Sequence, residues 1–303
     1  MAADTVGRFP HHHARPLPGH DMAMRQTTEQ QRNSMSETTT TAEAPALIER
    51  RGHVMVITLN RPRARNAVNA EMCVRVGDAL EEAENDADIR VVVLTGAGDK
   101  AFCAGADLKA LARGESVIPE GREKWGLAGY VSHAISKPTI AAVNGPALGG
   151  GTELVLASDL AVAADTATFG LPEVTRGLIA GAGGAFRLAN ALPRTVAMEL
   201  LLTGDPITAR QALEFHLINR VVPAESVLDT ALELAERIAA NAPLAVQAHK
   251  RIALQQNADG SRPAEVTGWA MTNGELPAIA HSQDAQEGPR AFAEKRAPIW
   301  QGK

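Results

Sequence analysis

Three glycine-rich stretches mark where this chain could do chemistry: CAGADL at residues 103–108, GPALGGG at 145–151, and residues 177–184. The middle one follows an apolar run and leads into a helical pattern, the setting of a phosphate-binding loop. It lacks the spacing of a dinucleotide fingerprint, and no Gly-Lys-Ser/Thr follows for a P-loop. No G-x-S-x-G elbow suggests a serine hydrolase. What is left is a helix N-terminus stripped of side chains, where the N–H of Gly150 can donate to a developing oxyanion. Glu153 lies one helical turn further on and can face the same ligand. Taken alone, it could equally complement the helix dipole. Glu173, two residues after Leu171 and next to Pro172, reads by itself as a surface acid after a proline turn.

These groups need a scaffold. The β-branched run Val54–Leu59 ends at Asn60-Arg61-Pro62 and predicts a strand and a turn. From Asn69, Met72, Val76, Leu80 and Ala83 recur at helical spacing, with Asn69 as cap and Glu71 in the first turn. Residues 91–95, Thr139–Val143 and Leu160–Ala164 read as buried strands, with a helix at 153–156 between the last two. Strands alternating with helices imply a parallel sheet. Beyond about residue 188 the pattern turns helical, at 196–202, 209–215, 227–240 and 243–254. The expected organisation is a disordered extension over 1–45, a core over 46–235 and a helical region over 236–303.

The 303 residues suffice for one large domain, and an aromatic content of 3% means a core of Ala, Val, Leu and Ile. A net charge of −5 argues against a broad nucleic-acid surface, and residues 74–90 are dominated by acids. Two cysteines, Cys73 and Cys103, fit a reducing compartment and exclude a disulfide framework. No run is long enough for a membrane span and no secretory signal is visible, so the expected location is cytoplasmic. The run His11, His12 and His13 reads as part of a flexible tail rather than a metal site.

Taken together, FCAGADLK at 102–109, AVNGPALGGGTE at 142–153 and FGLPE at 169–173 resemble the enoyl-CoA hydratase/isomerase (crotonase) family. The likeness continues through GLIAGAGGAFRL at 177–188, MELLLTG at 198–204 and AFAEKRAPIW at 291–300, and covers residues 46–303. The resemblance implies an α/β fold, a spiral of β-β-α units with a C-terminal helical trimerisation region, assembled as a trimer or a dimer of trimers. It implies an acyl-CoA thioester substrate, no resident cofactor and no metal.

By the same resemblance, Ala106 and Gly150 supply the two N–H donors that hold the thioester carbonyl. Glu153 and Glu173 match the two glutamates of the hydratases, one as general base toward water and the other as proton donor to the α-carbon. One of the two should carry a raised pKa, since adjacent carboxylates in an apolar cleft resist double ionisation. Arg65, Ala104, Asp107, Leu108 and Lys109 would lie along the CoA nucleotide, with Arg63 more weakly supported, and Lys295 would reach its phosphates. Isomerases of the family typically lose the acid at the Glu153 position, so two glutamates favour a hydratase. The stretch 281–303 is also close to that of crotonobetainyl-CoA hydratases. A non-catalytic acyl-CoA binder would be expected to lose one glutamate. His216 occupies a C-cap position where relatives carry Gly, Ala180 stands where hydratases often have Pro, and His133 adjoins a variable segment (114–132) expected to line the acyl pocket.

Overall fold

The structure, a computed structural model, describes residues 44–257 and 259–303. The expected disorder over 1–43 and the histidine run therefore lie outside the described residues. Ala44 and Pro45 already lead into the first strand, their carbonyls accepting hydrogen bonds from the side chain and the N–H of Asn60.

Strands β1 (Ala46–Arg51) and β2 (Val54–Leu59) form an antiparallel hairpin. Helix α1 (Ala70–Asn85) follows, and the side chain of Asn69 caps it by accepting from Met72 N–H, as the sequence predicts. Strand β3 (Val91–Gly96) is buried throughout and pairs parallel to β2. A short helix α2 (Leu108–Ala112) precedes β4 (Thr139–Val143) and β5 (Ala147–Leu148). Helix α3 (Gly150–Ala157) begins earlier than the expected 153–156, so Glu153 lies in its first turn. Strands β6 (Leu160–Ala164) and β7 (Thr168–Gly170), helices α4 (Gly184–Ala191) and α5 (Arg194–Thr203), β8 (Ile207–Thr208), α6 (Ala209–Glu214) and β9 (Arg220–Val222) complete the sheets. Among the described residues the main sheet runs β1-β2-β3-β4-β6-β9, parallel beyond the first hairpin, and a smaller sheet runs β5-β7-β8.

Helix α7 (Val227–Ala239) packs across β2, β3, β4 and β6. Val227, Ala231, Ala235 and Ala239 form its buried stripe, and such small side chains let a helix sit close on a sheet that is itself mostly Val, Ile and Ala. This places α7 in the core, so the helical region begins after it rather than at residue 236. That region comprises α8 (Pro243–Ala253), α9 (Pro263–Ala280) and α10 (Gln283–Ala293). The last two went unread in the sequence. Helix α9 contains Gly268, Gly274 and Pro277, and α10 contains Gly288 and Pro289, residues that usually break a helix. His216 does adopt the left-handed conformation expected of a C-cap, with φ 62°. Among the described residues no helix is long and apolar enough to cross a membrane.

Candidate active site

The three glycine-rich stretches converge. Helix α3 enters through Gly149, whose φ of 56° and ψ of −123° only glycine adopts readily. The next two glycines serve close approach. A Cβ on Gly150 would lie 2.4 Å from Leu127 Cδ2 and 3.0 Å from Gly105 Cα, and one on Gly151 would lie 2.0 Å from the carbonyl oxygen of Cys103. The helix N-terminus is thus pressed onto the backbone of 103–106. That Cβ on Gly150 would also lie 3.5 Å from Ala106 N, so the two residues singled out in the sequence lie close together. Neither N–H donates to another group among the described residues.

Thr152 stitches this corner together. Its hydroxyl donates to Ala147 O (2.7 Å) and accepts from Gly170 N–H (3.0 Å), fixing β5 and β7 against the helix. Asn66, fully buried, donates to Ala97 O and Ala101 O and accepts from Arg61 N–H, which shapes the turn that presents 102–106.

Glu153 is 3% exposed. Its Oε1 accepts two backbone N–H groups, from Ala182 (2.7 Å) and Gly184 (2.9 Å). The third glycine-rich stretch is thus a clamp on this carboxylate, and a Cβ on Gly184 would lie 2.8 Å from Glu153 Cγ. Glu173 sits in a single turn of 3-10 helix, Pro172–Arg176, started by the proline. Its Oε1 comes within 3.0 Å of where a Gly149 Cβ would lie, while Oε2 is buried with no hydrogen-bond partner. Burial pushes the pKa of both carboxyls up, and the charge of Glu173 pushes that of Glu153 further. The N–H groups of Gly184 and Ala182 oppose the rise at Glu153. Where the sequence led to the expectation of one raised carboxyl, burial raises both, Glu153 to about 8 and Glu173 to about 7.

The turn bearing Glu173 is backed by helix α10. A Cβ on Gly177 would lie 2.2 Å from Asp284 O, and one on Gly288 would lie 2.0 Å from Arg176 O. Such backbone-to-backbone contact leaves no slack.

The remaining predicted residues are mostly exposed. Arg65 is exposed and in the left-handed region, and its carbonyl accepts from Ala104 N–H (3.0 Å). Leu108 and Lys109 are exposed on α2. The Asp107 carboxylate is committed elsewhere. It caps α2 by accepting from Lys109 and Ala110 N–H and pairs with Arg61 Nη2 at 2.9 Å, which holds its pKa below the usual range despite partial burial. Lys295 follows α10, with φ 54°. Arg61, overlooked in the sequence, is the ion-pair partner that fixes the start of α2. His133 is buried, stacked 5.1 Å from Trp125 and bonded to Gly129 O. Among the described residues no cluster of three His, Cys, Asp or Glu could hold a metal.

Residues 49–303 match the family described as enoyl-CoA hydratase/isomerase. A carnitinyl-CoA dehydratase of Citrobacter koseri is 42% identical over 261 residues, 84% of this chain and 97% of that protein. The crystal structure of carnitinyl-CoA hydratase from Mycobacterium avium is 59% identical, with a TM-score of 0.84, covering 86% of this chain and 99% of that one. That of enoyl-CoA hydratase from Mycobacterium tuberculosis H37Rv is 46% identical, with a TM-score of 0.67, covering 86% and 100%. The chain belongs to the enoyl-CoA hydratase/isomerase family and has the crotonase fold, a spiral α/β core followed by a helical region. It is an enzyme of that family's hydratase and dehydratase group.

Proposed function

We propose that this chain catalyses the reversible addition of water to the 2,3 double bond of a trans-2-enoyl-CoA thioester, giving the 3-hydroxyacyl-CoA. In this reading Ala106 and Gly150 donate their N–H groups to the thioester oxygen and hold the negative charge that develops on it. Removing one such donor typically costs about 100- to 1000-fold in rate. A water molecule lies between the two carboxyls. Glu153 takes its proton as the hydroxyl adds to the β-carbon, and Glu173 gives a proton to the α-carbon. The observation that carries the assignment is the asymmetry of the pair. Two N–H donors on Glu153 Oε1 favour its ionised form, and Glu173 Oε2 has none. Burial and the charge of Glu173 still raise Glu153 to about 8 against about 7 for Glu173, so the donors support the assignment by geometry rather than by net pKa.

Exposed Arg65, Ala104, Leu108, Lys109 and Lys295 are the proposed contacts for the CoA moiety, with Asp107 shaping α2 rather than touching it. A trimer or dimer of trimers is part of the same proposal, supported by exposed Leu202, Leu244, Ile252, Met271 and Ile299 on the helical region and α5. So is a reducing, cytoplasmic setting, supported by the unpaired, buried Cys73 and Cys103.

A second reading narrows the substrate. The high identity to proteins named carnitinyl-CoA hydratase or dehydratase supports an acyl group bearing a quaternary ammonium, with crotonobetainyl-CoA as the enoyl form. The test follows loss of enoyl-thioester absorbance with crotonyl-CoA and with crotonobetainyl-CoA, using wild type, Glu153→Ala and Glu173→Ala. Wild-type turnover with both variants nearly inactive supports the paired-glutamate hydration. A kcat/KM at least tenfold higher for crotonobetainyl-CoA would establish the narrower substrate. An active Glu153→Ala would overturn the mechanism.

A further inference from the structure

Arg187 lies one turn into α4, three residues after Gly184, and is 7% exposed. Its Nε and Nη2 donate to the two carboxylate oxygens of Glu265 at 3.1 and 2.7 Å, and Nη2 also donates to Val131 O at 2.8 Å. Its Nη1 is buried without a partner. That atom lies against Gly183, where a built Cβ would come within 3.2 Å of it. Gly183 is the residue between the two N–H donors, Ala182 and Gly184, that hold Glu153.

Glu265 belongs to α9, and that helix lays one face over the clamp. Trp269 Nε1 donates to Glu265 Oε2 (3.2 Å), and its ring meets Phe186 edge-on at 5.2 Å. A Cβ on Gly183 would lie 3.1 Å from Trp269 Cη2, one on Gly268 would lie 2.5 Å from the Phe186 ring, and one on Gly181 would lie 3.1 Å from Leu276 Cδ2. Residues 265, 268, 269 and 276 share one helical face. A buried bidentate ion pair is weak evidence of stability, because desolvation offsets its Coulomb gain. Its geometric specificity, by contrast, is high.

We propose that Arg187, oriented by Glu265, is a positioning residue for Glu153, fixing the 182–184 peptides against its carboxyl group. The proposal rests on the hydratase reading for its kinetic consequences, but not for its geometry. The charges involved are few. Glu153 faces Glu173 from the 3-10 turn, the Cys103 thiol from the 102–108 segment and Arg187 from α4. Arg187 faces Glu265, which Arg262 also approaches at 3.5 Å. Burial and Glu173 disfavour the carboxylate, while the two N–H groups and Arg187 favour it. Loss of Arg187 should therefore move the ionisation of Glu153 upward.

The test compares wild type, Arg187→Lys, Arg187→Gln and Glu265→Gln in full pH profiles, with each variant first checked for its folded circular dichroism. Arg187→Gln should lower kcat roughly 10- to 100-fold at neutral pH with KM nearly unchanged. Its acid limb should move up by about half to one pH unit, so that part of the rate returns at higher pH. Arg187→Lys should restore the limb, and Glu265→Gln, which loses the orienting partner, should displace it upward by less than Arg187→Gln does. Equal losses in Arg187→Gln and Arg187→Lys at every pH would reduce the pair to a structural tether and overturn the proposal. A loss confined to KM would overturn it in favour of a substrate contact. A second readout needs no turnover: the protonated-carboxyl infrared band of Glu153, followed against pH in a Glu173→Gln background with and without Arg187→Gln. If wild type is inert on enoyl thioesters yet this band moves upward, the hydratase reading fails and the positioning role stands. If the band does not move, the positioning role fails whatever the activity.

Discussion

Glu153 and Glu173 share one cleft and one chemical type, but the chain holds them by opposite means. Glu153 stands on the first turn of α3, with two N–H donors on one oxygen and α9 packed behind those donors. Glu173 stands on a five-residue turn, with one oxygen buried and unpartnered, and that turn is held through the backbone contacts of Gly177 and Gly288 with α10 and the packing of Gly204 against Pro172 and Thr175. The first site fixes a carboxylate and its charge. The second fixes a backbone and leaves the carboxyl free to keep its proton. The difference teaches how one fold treats identical side chains unequally: burial raises both carboxyls, Glu153 to about 8 and Glu173 to about 7, and the two donors on Glu153 oppose that rise without reversing it.

The strongest way to break this comparison is the pH profile of the two isosteric variants. Wild-type kcat/KM should be bell-shaped. Below the acid limb both carboxyls are protonated and the base is lost, and above the alkaline limb both are ionised and the acid is lost. Because burial raises both, each limb should lie above the ordinary carboxylate range of about 4. Glu153→Gln and Glu173→Gln should each lose about 100- to 10,000-fold in rate. The residual activity of Glu173→Gln should lack the alkaline limb and keep the acid limb, because Glu173 is still protonated where the acid limb lies. If both variants keep both limbs, the division of roles is wrong.

Much of this was legible before the structure. The β-branched runs at Val54–Leu59 and Thr139–Val143 became strands because every position there is buried or nearly so, and periodicity reports burial directly. The Gly149, Gly150 and Gly151 run marked the helix entry because a backbone that must approach another backbone leaves no other residue possible. What stayed hidden were pairings between distant polar residues. Nothing local in Arg187 announces Glu265, and nothing in Arg61 announces Asp107, because the partner is chosen by packing of elements far apart in sequence. Helix α9 was hidden for a related reason. Its apolar residues do not form a single stripe, and its functional face is carried by Glu265, Gly268 and Trp269 rather than by a row of Leu.

Methyl groups added to the two holders should sharpen the contrast. Gly184→Ala drives a Cβ to 2.8 Å from Glu153 Cγ, and a carboxylate pinned by two donors cannot swing away. Gly288→Ala drives one to 2.0 Å from Arg176 O, so α10 must move off the turn that bears Glu173. Both should lower kcat about 10- to 100-fold. They should differ in where the structure gives way, with hydrogen exchange rising in α10 for Gly288→Ala and in residues 181–184 for Gly184→Ala. Gly288→Ala at wild-type rate would show that α10 does not set the position of Glu173.

The smallest effect, in stability, isolates the donors from the charge. Glu153→Ala leaves two N–H groups without an acceptor, whereas Glu173→Ala orphans none. At pH 5 both carboxyls are protonated in the folded protein and little charge is at stake. There Glu153→Ala should be less stable than Glu173→Ala by roughly 2–4 kcal/mol, the usual cost of two unmet buried groups. The charge enters as pH rises. The folded pKa of Glu173 lies above its ordinary value of 4.5, so its penalty is absent below that pH and fully present only above the raised value. Between pH 5 and 8, wild type should therefore lose about 2 kcal/mol relative to Glu173→Ala, a figure already discounted for the residue's partial exposure. Differential scanning calorimetry at the two pH values reads both quantities. Equal stability of the two alanine variants at pH 5 would mean that the clamp on Glu153 holds nothing, and a flat difference between wild type and Glu173→Ala would mean that Glu173 ionises as an ordinary surface acid.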